Sequence, residues 1–63
     1  MKTFLCSNRW KNRTIEANGQ NTAVCIFASC TLGAIKQTQC YVGLTGGRYD
    51  TPDGEVRIRE VFQ

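Results

Sequence analysis

The sequence predicts an α+β domain in which a single helix packs on a small antiparallel sheet, in the order strand, strand, helix, strand, strand, strand. Three observations carry this reading. Short segments with strand-forming residues and alternating polarity occupy both ends of the chain. A stretch with apolar residues at helical spacing lies between Asn18 and Gly33. Glycine and proline punctuation divides the last third into short pieces.

Lys2 to Ser7 is rich in strand formers, and alternation places Phe4 and Cys6 on one side, Thr3 and Leu5 on the other. Asn8 to Asn12 is polar and suits a turn. Arg13 to Ala17 follows as a second strand, with Ile15 and Ala17 on one face.

Asn18 is the best candidate to cap a helix, because its side-chain oxygen can accept a bond from an unpaired N–H of the first turn. Ala23, Ile26, Phe27 and Cys30 then recur at i, i+3, i+4 and i+7. Gly33 fits the left-handed position just past a helix end. A buried strand from Val24 to Ala28 competes, since Val, Cys, Ile and Phe also favour strands. The start and stop signals decide for the helix.

Thr38 to Thr45 has strand character, with Cys40, Val42 and Leu44 on one face. Gly46-Gly47 reads as a two-residue hairpin turn. Arg48 to Thr51 is a short strand. Thr51-Pro52-Asp53-Gly54 is a second turn, in which Pro presets φ, Asp bonds back to the backbone and Gly takes the left-handed position. Glu55 to Phe62 closes the chain as a strand, with Val56 and Ile58 inward and Arg57 and Arg59 outward.

Sixty-three residues allow one domain, residues 1–63, and no deep cleft between lobes. At 41% hydrophobic and 21% charged the chain is too apolar for disorder. The net charge of +3 argues against a DNA mimic and permits contact with phosphate or an acidic protein face. Met1 to Leu5 looks like the start of a signal peptide, but Ser7, Asn8 and Arg9 interrupt it. No apolar run is long enough for a membrane span. The expected setting is the cytoplasm of a bacterial host, with no membrane association.

The chain has four cysteines, Cys6, Cys25, Cys30 and Cys40, and no histidine. They read as small buried apolar residues, with disulfides and a zinc site as alternatives. Cys25 and Cys30, five apart on a continuous helix, would point about 140° away from each other and could not share one ion. Without histidine there is no imidazole base, no Ser-His or Cys-His pair and no imidazole ligand. The acids Glu16, Asp50, Asp53, Glu55 and Glu60 are scattered, and Asp50 and Glu55 could pair across the last hairpin with Arg48 or Arg57. Gly43, Gly46 and Gly47 do not form a phosphate-binding loop. The expectation is therefore no enzyme, no catalytic residue, no cofactor and no metal.

Two basic sets remain as candidate partner contacts. One is Arg9, Trp10, Lys11 and Arg13, and the other is Arg57 and Arg59 with Arg48 and Tyr49 on the neighbouring strand. Cations around an aromatic are what a nucleic-acid or protein-binding surface uses. A solubilising surface, with Trp10 folded over the core edge, explains the same residues.

Thr14-Ile15-Glu16-Ala17, then a helix with Ala23, Ile26 and Ala28-Ser29, then Gln39-Cys40 leading into a meander, resembles small phage-encoded anti-CRISPR proteins, specifically inhibitors of type I-F systems. The resemblance spans roughly residues 14–45. It implies a stoichiometric inhibitor that binds a bacterial defence complex, the Cas surveillance complex, and blocks target DNA. The alternative is a small basic nucleic-acid-binding module of phage or plasmid origin.

Overall fold

A computed structural model describes residues 1–41 and 46–62. The elements run β1 (Lys2–Ser7), β2 (Asn12–Ala17), α1 (Gln20–Ala28), a 3-10 turn (Leu32–Ala34), β3 (Lys36–Cys40), β4 (Gly46–Thr51) and β5 (Gly54–Val61). The strands form one antiparallel sheet in the order β2-β1-β5-β4-β3, and α1 covers one face. The predicted helix-on-sheet architecture is therefore what the chain adopts. β1 and β5 lie side by side at the centre, with Cys6 opposite Ile58 and Ser7 opposite Arg57.

Alternation sorts the residues between the two faces as the sequence predicts. Phe4, Cys6, Ala17, Val56 and Ile58 point under the helix, and all are buried. Ile15 and Ile35 pack at the margin of this core. Burial pushes the Cys6 thiol up to about 11, because the thiolate would lose its water. Among the described residues, no helix is long and apolar enough to cross a membrane.

The helix differs from the prediction at both ends and in its facing. Gly19 is the N-cap, not Asn18, and it supplies no side-chain bond. No acidic residue sits in the first turn and no basic one in the last. Nine residues without these aids are marginal as an isolated helix, so packing must hold α1 in place. The buried stripe is Ala23, Val24 and Phe27, while Ile26 is 53% exposed. The spacing Ala23, Ile26, Phe27 and Cys30 predicts Ile26 inward, and the structure turns it to solvent. The stripe actually used includes Gln20, one turn before Ala23 and Val24, which packs beside the sheet. There the hydroxyl of Tyr49, itself buried in β4, donates to Asn21 Oδ1 and contacts the Gln20 side chain. Burial raises the Tyr49 pKa, and the Gln20 bond partly offsets the rise.

The helix also stops earlier than Gly33. Ser29 takes the left-handed conformation, with φ 55° and ψ 46°. The Cys30 N–H donates to Cys25 O at 3.1 Å and the Ser29 N–H to Ile26 O at 3.4 Å, a Schellman cap. Cys30 thus lies beyond the helix, and Gly33 sits in the 3-10 turn without a positive φ.

In the last third, β3 covers Lys36–Cys40 rather than starting at Thr38, and Cys40 is exposed. The predicted inward positions Val42 and Leu44, with Gly43 and Thr45, lie outside the described residues. Gly46-Gly47 is not a turn but the start of β4. A Cβ on Gly46 would stand 2.3 Å from Ile58 O, and one on Gly47 would stand 2.3 Å from Gln39 O. Glycine is needed there for close approach of β5 and β3, not for a positive φ. The Pro52-Asp53 turn stands where predicted, and Gly54 has φ +109°. Thr51, not Asp53, provides the local side-chain bonds: its Oγ1 accepts from Asp53 N at 3.1 Å and donates to Gly54 O at 2.9 Å.

Of the four cysteines, all free, only Cys6 is buried; Cys25 and Cys30 are partly exposed. The reading of all four as buried apolar residues holds for Cys6 alone.

Candidate nucleic-acid interface

The face of the sheet away from α1 is open. It is assembled from the alternate residues of the central strands, and Arg48, Arg57 and Arg59 share it with the carboxylates Glu16, Asp50 and Glu55. Arg57 and Arg59 project from β5, and Arg48 projects from β4. Arg48 is directly opposite Arg57, and Gly46 is opposite Arg59. On the other flank, Leu5 is opposite Arg59 and Ser7 opposite Arg57. A shallow depression of about 280 Å³ runs over this region, lined by Leu5, Ser7, Tyr41, Arg57, Ile58 and Arg59.

Tyr41 closes one side of the depression. Arg48 Nε donates to Tyr41 Oη at 3.0 Å, and the guanidinium carbon lies 6.0 Å from the ring centroid. That hydrogen bond, with the charge of Glu55, raises the Arg48 pKa above its ordinary value. Tyr49, read from the sequence as part of this surface, is on the opposite face and buried beneath the helix.

Among the described residues, one of the carboxylates of this face comes within ion-pair distance of one of its arginines. Arg57 Nε lies 4.0 Å from Glu55 Oε1 on its own strand, both side chains being half exposed. Such an exposed pair contributes little. Among the described residues, Glu55 pairs with Arg57 along its own strand rather than across the hairpin, and Asp50 stands opposite Glu55 at the turn end. Among the described residues, Arg48 and Arg59 have no carboxylate within ion-pair distance.

The first basic set divides. The Asn8–Lys11 turn is folded by Asn8, whose Oδ1 accepts from Trp10 N at 2.8 Å and Lys11 N at 2.9 Å. Trp10 is 69% exposed rather than folded over the core edge, and the Arg9 guanidinium lies 5.4 Å from its ring centroid. The turn stands beside the Pro52–Gly54 turn. Between them is a groove of about 380 Å³ whose walls include Arg9, Trp10, Glu55 and Arg57. Arg57 therefore belongs to both hollows and joins Arg9 and Trp10 to Arg48 and Arg59. Lys11 and Arg13 do not join them. Lys11 Nζ reaches toward the helix, 5.1 Å from the Phe27 ring centroid, and Arg13 is opposite Cys6 on the helix side of the edge strand β2.

Tyr41 was missed by the sequence reading. Its position follows from Arg48 on the adjacent strand β4, seven residues on in the chain, and no local signal reveals that. Comparison with protein-family profiles, curated proteins and solved structures finds no match to this chain.

Proposed function

We propose that the protein is a single-stranded nucleic-acid-binding module that uses the open face of its sheet. The observation that supports this most is the cross-strand pairing of Arg48 with Arg57, with Arg59 on the same face. Like charges placed directly opposite destabilise a sheet, so an anion lying between them relieves a cost that the free protein carries. Alternate residues on one strand are about 7 Å apart. That is comparable to the separation of successive phosphates in a stretched strand. Tyr41 and the exposed Trp10 offer rings on which bases can stack, while Leu5 gives the depression an apolar floor. A phosphate backbone tracking from Arg59 past Arg57 to Arg9 would follow the two connected hollows.

The test is a fluorescence-anisotropy titration with labelled single-stranded DNA and RNA. Saturable binding that is lost on replacing Arg48, Arg57 and Arg59 together by Ser supports the proposal. Equal weak binding by both proteins overturns it.

A second reading rests on the exposed Arg9–Trp10 pair, since Trp and Arg are the residue types that most often anchor protein interfaces. In that reading the protein is a stoichiometric inhibitor of a bacterial defence complex, as the resemblance to anti-CRISPR proteins implies. A pull-down from nuclease-treated lysate carrying a type I system tests it. Recovery of Cas subunits, lost on Trp10→Ala, supports it, and recovery by the Trp10→Ala variant as well counts against it.

A further inference from the structure

The end of α1 brings together two cysteines that the nucleic-acid reading does not use. Cys25 lies in the last turn of the helix and Cys30 lies just past Ser29. On a continuous helix their side chains would diverge. The left-handed Ser29 reverses the chain instead, and the Cys30 N–H bonds back to Cys25 O at 3.1 Å. In a Schellman cap the side chains at these two positions are frequently in contact. Here Cys25 lies near enough to the Cys30 thiol to help raise its pKa. Both residues are partly exposed, so a small oxidant can reach them. Cys6 is fully enclosed, and Cys40 is on the edge strand β3.

We infer that Cys25 and Cys30 form an intramolecular disulfide site, closed by exchange with a low-molecular-weight disulfide such as glutathione disulfide. One cysteine attacks the oxidant as its thiolate, expels one glutathione thiolate and becomes a mixed disulfide. The second cysteine attacks the first cysteine's sulfur and expels the second glutathione. Two electrons pass to the oxidant, the two cysteine protons end on the released thiols, and one S–S bond joins residues 25 and 30. The bond locks the cap that ends α1. Disulfide geometry needs close Cβ atoms, and the cap turns the backbone of residue 30 back onto that of residue 25.

Burial, followed by the nearby Cys25, pushes the Cys30 thiol above its usual pKa. Less thiolate is then present at neutral pH, and closure accelerates as the solution is made alkaline.

The experiment treats the folded full chain with glutathione disulfide, quenches it with an alkylating agent and maps tryptic peptides by mass spectrometry. Residues 14–36 form one tryptic peptide that contains both thiols and neither Cys6 nor Cys40. The expected result is this peptide unalkylated and lighter by two hydrogens, with Cys25→Ser and Cys30→Ser each leaving a glutathione adduct on the remaining thiol. Cys40 reports that the oxidant acted. Two alkylated or two glutathionylated thiols in that peptide, with Cys40 fully modified, overturn the inference.

Discussion

Arg48 and Arg57 stand directly opposite each other on β4 and β5, on the face that the helix leaves open. Like charges directly opposite each other cost a sheet stability, and under the proposed function a bound anion offsets that cost. Replacing Arg57 by Thr should therefore raise stability by about 0.2–1 kcal/mol, because a like-charge cross-strand pair is removed and a good strand former introduced. The same change should weaken oligonucleotide binding. Thermal melts and anisotropy on one preparation check both signs, and a variant that loses stability would show that Arg57 is instead a structural residue.

The two glycines at the start of β4 make a second prediction. Gly46→Ala and Gly47→Ala each force a Cβ to 2.3 Å from a neighbouring strand's carbonyl oxygen. Each should cost about 1–3 kcal/mol, the usual penalty of overpacking. Gly33→Ala has open space and no positive φ, and it should be neutral or stabilising. Urea denaturation of the three variants separates these outcomes.

The facing of α1 is tested with charge. Ile26→Asp places a carboxylate on a half-exposed position and should change stability by less than about 1 kcal/mol. Val24→Asp places it where Val24 is fully buried and should unfold the domain. Far-ultraviolet circular dichroism of both variants reads the difference. An unfolded Ile26→Asp protein would return the helix to the face that spacing alone suggested.

Cys6 supplies a pH dependence. Its thiol has a folded pKa of about 11 against an ordinary value of 9.0. The folded state retains a proton that the unfolded chain releases between these values. Stability from this group is therefore complete below pH 9 and declines as pH rises toward 11, by about 2–3 kcal/mol in all. Tyr49, also raised by burial, acts in the same direction. Cys6→Ala, though less stable at neutral pH from the lost packing, should show a shallower alkaline decline in denaturation midpoints.

Most of the architecture was legible because it rests on local patterns. The alternation in β1 and β5 placed Phe4, Cys6, Val56 and Ile58 inside and Arg57 and Arg59 outside. The errors fell where one residue type serves two physical ends. Glycine marks both hairpin turns and tight strand packing, so Gly46-Gly47 was read as the former. Two apolar sets fit the helical period after Ala23, and the polar Gln20 concealed the correct one until Tyr49 was placed against it. The candidate surface was legible in parts only. Arg57 and Arg59 follow from alternation, but the junction with Arg9 and Trp10 depends on Ser7 lying opposite Arg57. That pairing joins the two ends of the chain, and no local pattern encodes it.

The central claim is that the arginines of the open face contact phosphates, and the salt dependence of binding tests it most directly. For a single strand, the slope of log K against log salt changes by about 0.7 for each phosphate contact. Replacing Arg48, Arg57 and Arg59 by Ser should reduce the magnitude of the slope by about 2, in a variant that still melts cooperatively. A slope unchanged by the substitutions would contradict the account and place any nucleic-acid contact elsewhere on the molecule.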